Sequence, residues 1–386
     1  MRELRHVQRL RRSRAGVPCG SGGVALSQLG DRSPGDPQPR SLPPPPPAFR
    51  GPLAGQRPRV RNALGGDPWL VLSIGALVGL GFVASRLPAE TYRRAAYPLL
   101  LVAVASLVLV LLPGIGVARG GARRWLHLGP LALQPSEFAK FAVVLYLAAS
   151  LTKKGERLRS FKFGVVPHCL VVAVIGGLVL LEPDFGTAAL AGGLLILMLF
   201  VGGVPVRLIA APALAALPLV AYGVLWEGYR LQRMLAFVDP DRDPLGINFQ
   251  LKQSFIAFGS GGLWGVGLGG SRQKMFYLPE AHTDFIFSVV GEELGLAGAV
   301  LVLGLLAVVA ARGFRIAMRH PDRFGGLFAV GVTLSLVLQG LVNVGVVLGC
   351  LPTKGLALPF LSYGGSAMVA ALAQAGVLMA LARETG

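Results

Sequence analysis

Charge is what this sequence has least of. Of 386 residues, only 15% are Asp, Glu, Lys or Arg, while 53% are hydrophobic; soluble domains carry roughly 25% charged residues. That shortage excludes an ordinary soluble protein. Acids are scarcer than bases: 19 Asp and Glu stand against 37 Lys and Arg, a net charge of +18. The excess is not a nucleic-acid footprint, because the basic residues sit in an N-terminal tail and in short loops between apolar runs. Cysteine is rare too. Cys19, Cys169 and Cys350 are far apart and form no metal or redox spacing. Cys169 lies within an apolar run and reads as a small packing residue. No secretory signal peptide with a cleavage site is visible. Strict apolar–polar alternation is missing as well, which argues against a membrane β-barrel.

What is present is a series of apolar runs near the ~20 residues that cross a bilayer as a helix. Nine are read, at about 69–86, 95–113, 135–152, 164–182, 186–203, 207–226, 284–311, 324–349 and 363–382. The expected fold is an all-α polytopic membrane protein. The loops set its orientation. Arg86, Arg93 and Arg94 fall in one loop, Lys153, Lys154, Arg157, Arg159 and Lys162 in another, and Arg312, Arg315, Arg319 and Arg323 in a third. If the runs alternate, all three loops share a side, and the positive-inside rule makes that side cytoplasmic. The loops at 114–134, 227–283 and 350–362 then face outward.

Residues 1–68 are a different kind of sequence. They hold twelve Arg against four acids, with Pro43 to Pro47 unbroken. Such a segment buries too little apolar surface to fold and is expected to be disordered, as a cytoplasmic tail for partners or anionic lipid, or as a dispensable start. Nine spans place this basic tail outside, where it resists translocation. The expectation is therefore that one span is missing upstream and that residues 1–66 are a divergent or mis-started N-terminus. Detection of the N-terminal peptide of the native protein by mass spectrometry would refute it.

The outward loops carry the chemistry. Glu280, His282 and Asp284 crowd into five residues just before a long apolar run. An acid at the mouth of a membrane helix is costly to desolvate. General-base chemistry on a lipid-linked substrate accounts for it. Arg123, Arg124 and Trp125 either meet a phosphate and a sugar or lipid face, or anchor the interface. The largest loop, 227–283, opens with Tyr229, Arg230 and Arg233, and its Gly246–Gly270 stretch has too many glycines for a spanning helix. It suits segments lying in the interface or folding back over a cavity. Pro135 suits the first turn of a helix on which Glu137 and Lys140, three apart, share one face. The pair is either a structural ion pair or substrate-facing. Glu292 and Glu293 lie roughly 12 Å beyond Asp284 on a continuous helix. One of them is expected to cap a break near Gly291 or Gly295, and neither to be catalytic. Asp184 is expected to cap the helix starting at Phe185, and Ser362 to cap the last helix. Gly364 and Gly365 suit close helix contact. Lys354 is the single charge in its loop.

The strings QPSEFAK, EPDFGTA, LPEAHTDFIF, GEELG and LPTKG…LPFLSYGGS, in this order and spacing, resemble the SEDS family of FtsW, RodA and the sporulation homologues across residues 70–384. Ala281 before HTDFIF and the run Pro352-Thr353-Lys354-Gly355 are closer to its FtsW members than to its RodA members. The resemblance implies a helical bundle, normally of ten spans, that polymerises lipid II into peptidoglycan glycan strands during division. It implies that Asp284 is the essential base. It places Glu137 and Lys140 near the central cavity. Glu280 and His282 would orient or tune Asp284. Arg123, Arg124, Arg233, Arg272, Lys274 and Lys354 are candidates for the leaving pyrophosphate. The expected partners are lipid II, a class B penicillin-binding protein transpeptidase, other division proteins and membrane lipid, with no nucleic acid. No tightly bound cofactor or protein metal site is expected, although Mg or Mn on the pyrophosphate suits the chemistry. The implied place is the bacterial cytoplasmic membrane, at the division septum. Rival readings are a lipid II flippase, an elongation polymerase of RodA type and a structural recruiter. A flippase needs polar groups through the full bilayer depth, whereas Glu280, His282, Asp284 and most of the candidate Arg lie at the outer face.

Overall fold

A computed structural model of the chain describes residues 78–119, 122–128, 131–225, 228–238, 248–271, 273 and 282–385. The N-terminal tail and the first part of the first apolar run lie outside these. Residues 78–86 are helical. The main bundle follows as α1 (Ala89–Leu111), α2 (Pro135–Lys154), α3 (Val166–Leu181), α4 (Phe185–Val201) and α5 (Val206–Leu225). Two short helices, α6 (Gly228–Val238) and α7 (Phe249–Gly261), occupy the large outer loop, and α8 (Ile286–Glu293), α9 (Gly295–Arg319), α10 (Arg323–Val347) and α11 (Gly365–Arg383) complete it.

Five membrane-length apolar helices are found among the described residues: α1, the segment Phe161–Leu181 that includes α3, α9, α10 and α11. Two of the remaining expected spans are shorter or more charged, and a third is interrupted by prolines. α4 has 17 residues. α2 carries Glu137 and Lys140 near one end and Lys153 and Lys154 at the other. α5 holds Pro212 and Pro218.

Side-chain contacts sort the loops into two ends. At one end Arg383 Nη1 donates to the Ser85 carbonyl (3.1 Å), Arg323 Nη2 to the Gly202 carbonyl (3.0 Å), and the Ala89 amide to Glu384 Oε1 (2.8 Å). At the other, Arg124 reaches the turn between α3 and α4, and the Gln134 amide donates to Ser366 Oγ (2.9 Å). The first end is the one the basic loops make cytoplasmic.

α2 and α10 form the centre. Residues 142–148 of α2 are all buried, and so is most of α10. Small residues permit this. A Cβ on Gly331 would lie 2.5 Å from Val144 Cγ1 and 2.9 Å from Met198 Sδ, so only glycine lets α2, α4 and α10 meet there.

Residues 114–134, read as a loop, form a small antiparallel sheet: β1 (Gly116–Arg119), β2 (Ala122–Leu128) and β3 (Leu131–Leu133). Gly116 pairs with Leu126 and Leu126 with Leu133, with a bulge between Val117 and Ala118. Interruption by Gly114, Gly120, Gly121, Gly129 and Pro130 hides the alternation of β2 from a scan for long runs.

The expected break after Glu293 is real. α8 stops and α9 restarts at Gly295, whose φ is +65°. The chain at 262–267 satisfies both ends with its backbone. Val266 and Gly267 donate to the carbonyls of Glu292 and Glu293 (3.0 and 3.1 Å), and the amides of Leu296 and Ala297 donate to Gly262 and Leu263 (2.9 and 3.2 Å). The Gly-rich stretch thus folds back against the bundle.

Candidate functional site

The site begins with the turn at 282–285 that leads into α8. Three contacts hold its backbone. Asn343 Nδ2 donates to the carbonyls of Asp284 (2.8 Å) and Leu356 (2.6 Å). Ser362 Oγ donates to the Thr283 carbonyl (2.5 Å) and accepts from the Leu358 amide (2.7 Å). The Tyr363 amide donates to the His282 carbonyl (2.8 Å). Phe285 and Phe287, 2% and 0% exposed, anchor the helix start in the core. Asp284 itself is half-buried and His282 exposed. An acid held rigidly at this boundary has a fixed position and an open side.

The loop 348–364 closes over it. A Cβ on Gly355 would lie 2.8 Å from Asp284 Oδ2, so the loop passes against the Asp284 carboxylate and a side chain there would displace it. Its neighbours bring cations to the same edge. Arg233 on α6 donates from Nη1 to the Thr353 carbonyl (3.0 Å). Lys354 Nζ lies 3.7 Å from the centre of the Phe185 ring, at the start of α4.

A second layer lies beside it. Arg124 Nε and Nη2 donate to the carbonyls of Glu182 (2.8 Å) and Pro183 (2.7 Å) and tie β2 to the α3–α4 turn. Asp184 caps α4 as expected, accepting from the Thr187 amide at 3.1 Å and from its hydroxyl at 2.7 Å. Glu182 is fully buried, and neither carboxylate oxygen has a partner among the described residues. Burial, with Asp184 nearby, pushes its carboxyl up to about 8 despite Arg124.

Deeper in, Lys140 Nζ donates to Glu137 Oε1 (2.8 Å) and Gln339 Oε1 (2.6 Å), and Gln339 Nε2 donates to the Ala357 carbonyl (2.8 Å). Glu137 and Lys140 are 6% and 2% exposed. The pair is buried and closed on Gln339, with one end fastened to the loop over Asp284.

The structure brings Asp284, Arg233 and Lys354 to one loop edge. Arg123 and Arg124 part instead: adjacent on β2, they take opposite faces, and Arg123 is exposed. Glu280, Arg272 and Lys274 lie outside the described residues. Some expectations are corrected. Ser362 is no helix cap; the N-cap of α11 is Gly364, without a side-chain hydrogen bond. A Cβ on Gly365 would meet open space; close helix approach falls at Gly376, where a Cβ would lie 2.2 Å from the Gly81 carbonyl oxygen. Glu292 and Glu293 do not cap the break but accept from Ser271 and Gln273 in the chain folded beneath it. Sequence reasoning missed Asn343, Gln339 and Glu182. Gln339 and Asn343, four apart in an otherwise apolar run, were the available signal for one polar helix face.

A family profile described as a cell cycle protein, FtsW/RodA/SpoVE, matches residues 68–386. A probable peptidoglycan glycosyltransferase FtsW of Trichlorobacter lovleyi is 46% identical over 310 residues, 80% of each chain. The stage V sporulation protein E of Bacillus subtilis is 42% identical over 293 residues, 76% of this chain and 80% of its own. Among solved structures, a chain described under structural coordination of polymerization and crosslinking by a peptidoglycan synthase complex superposes with a TM-score of 0.67, at 34% identity, over 83% of this chain and 91% of that one. The rod shape determining protein RodA of Thermus thermophilus superposes with a TM-score of 0.58 at 31% identity, over 83% and 90%. Helical bundle, motif order and both kinds of comparison agree: this multi-pass membrane protein belongs to the FtsW/RodA/SpoVE family.

Proposed function

We propose that the chain is a peptidoglycan glycosyltransferase that polymerises lipid II, with Asp284 as general base. The observation that carries this is the rigid, half-open placement of Asp284 at the outer end of the bundle under a loop that brings Arg233 and Lys354 to its edge. The acceptor sugar 4-hydroxyl gives its proton to the Asp284 carboxylate. Its oxygen attacks C1 of the donor, the C1–O bond to the pyrophosphate breaks, and the electron pair leaves with the lipid pyrophosphate. Arg233 and Lys354 are placed to offset that charge, and a single displacement inverts C1. Arg123 stays a candidate from its exposed face. Arg124, Glu137 and Lys140 support the site through the partners given above. Glu280, His282, Arg272 and Lys274 keep their proposed supporting roles.

Polar side chains also weigh against a flippase. The buried ionisable groups Glu137, Lys140 and Glu292 lie toward the outer half, and the buried polar groups near mid-depth, Thr333, Ser335 and Gln374, are uncharged. The relatives named FtsW support a role in division, and with it a septal location and division-protein partners. The peptidoglycan synthase complex similar to this chain supports a class B transpeptidase partner. Any Mg or Mn would arrive with the pyrophosphate; polymerisation with and without chelator reads that requirement.

The test is polymerisation of labelled lipid II by the purified chain with its transpeptidase. Wild type should make glycan polymer, and Asp284→Ala and Asp284→Asn, equally folded, should make none. Polymer from either variant at the wild-type rate removes Asp284 from the role.

A further inference from the structure

The mechanism leaves unused a cavity at the opposite, cytoplasmic end. It measures about 570 Å³ and is lined by Tyr97, Ser150, Lys153, Lys154 and Arg157. Tyr97 is on α1, Ser150, Lys153 and Lys154 on the last turns of α2, and Arg157 on the 3₁₀ turn that follows. Lys154 stands 17 residues beyond Glu137, roughly 25 Å along the helix, so the cavity is remote from Asp284.

Three features define its ligand. The first is charge. Three cations line the cavity with no acid among them, and within the described residues neither Lys153 nor Arg157 pairs with an acid. The second is donor geometry. Lys154 Nζ spends one bond on the Phe163 carbonyl (2.8 Å), which fixes the ammonium and leaves further N–H groups. Ser150 Oγ lies 3.0 Å from His168 Nε2, and His168 Nδ1 lies 2.6 Å from the Gly164 carbonyl oxygen, so the wall is braced from behind by a fully buried imidazole. The third is depth. Tyr97 is 43% exposed, about two turns into α1, and edges against Tyr146 at 5.9 Å. A half-exposed tyrosine beside lysines that reach the rim marks the headgroup level of a membrane.

We propose that this cavity binds the phosphate of an anionic phospholipid headgroup from the cytoplasmic leaflet. Phosphate oxygens take the Lys153, Lys154 and Arg157 donors, and the acyl chains run outward past Tyr97 along the exposed apolar face of α1, where Leu101 and Val102 are 69% and 66% exposed. A zwitterionic lipid would add a cation beside these three cations and binds more weakly.

The full chain, purified in detergent, is titrated with phosphatidylglycerol, phosphatidylcholine or inorganic phosphate, and retained ligand is counted by native mass spectrometry. The variant carries Lys153→Gln with Arg157→Gln; Lys154 stays because it holds Phe163. Wild type should retain phosphatidylglycerol over phosphatidylcholine. The double variant should lose about fivefold in affinity per charge removed, roughly 25-fold in all. Equal retention of the two lipids by wild type, or unchanged retention of phosphatidylglycerol by the variant, overturns the proposal. If inorganic phosphate displaces the lipid at equal concentration, the site takes free phosphate and the lipid assignment falls.

Discussion

Asn343 and Glu182 show how the site is built residue by residue. Asn343 reaches two carbonyls at once, so the amide serves as a bolt between the turn at Asp284 and the loop at Leu356. In Asn343→Leu both carbonyls lose their donor, and the turn carrying Asp284, the proposed base, loses its anchor. The folded variant should polymerise lipid II at least about 10-fold more slowly, with its loss in kcat rather than KM. Glu182 works in the opposite sense, as an acid kept neutral by burial. Its folded carboxyl titrates near 8, above an ordinary value of 4.5. The folded form therefore holds its proton more tightly than the unfolded chain. Stability is full below about pH 4.5, falls as pH rises toward about 8, and is level above. Glu182→Gln should remove that slope and stabilise the fold most at pH 8 and above, by on the order of a few kcal/mol, seen as a raised melting temperature. A thermal series from pH 5 to about pH 9 reads it, and parallel curves for the two proteins would contradict it. The position of Asp284 at a helix mouth was legible in the sequence because an acid preceding a long apolar run is conspicuous. Asn343 and Glu182 were not, because their roles depend on a loop brought from elsewhere in the chain and on a depth of burial that only packing creates.

Among the elements, the interlock at Gly295 ties two helices and a strap together. Two helix ends and the strap at 262–267 exchange backbone hydrogen bonds there. A Cβ at Gly295 would lie 2.4 Å from the Gly265 nitrogen, at a φ of +65° that disfavours side chains. Gly295→Ala should cost about 1–3 kcal/mol and lower the melting temperature of the purified protein, whereas Gly304→Ala, which meets open space, should not. Equal melting of the two would contradict the interlock. Long helices were legible because the bilayer demands uninterrupted apolar length. The three-stranded sheet was not, because its strands are three to seven residues long and two-residue gaps break their alternation. Its consequence is functional: β2 turns Arg123 and Arg124 to opposite faces, so at most one of these neighbours can serve a given phosphate.

For the whole molecule, charge placement carried the most information. Basic loops point to the orientation, and the hydrogen bonds at the two ends of the bundle group the loops in the two sets that alternating spans require. Two of the anchors of the loop over Asp284, Gln339 and Asn343, belong to α10 and one of these is held by Lys140 of α2, both largely buried helices, so that edge hangs in part on the centre of the bundle. That arrangement suits a polymerase, which needs one precise outer site, better than a translocator, which needs a polar path that opens in turn to each side. The most direct measurement places wild type and Asp284→Asn in vesicles with labelled lipid II and reads polymer and transbilayer movement together. We predict polymer from wild type alone and no movement above empty vesicles from either. Movement driven by both proteins with no polymer from either would contradict the account.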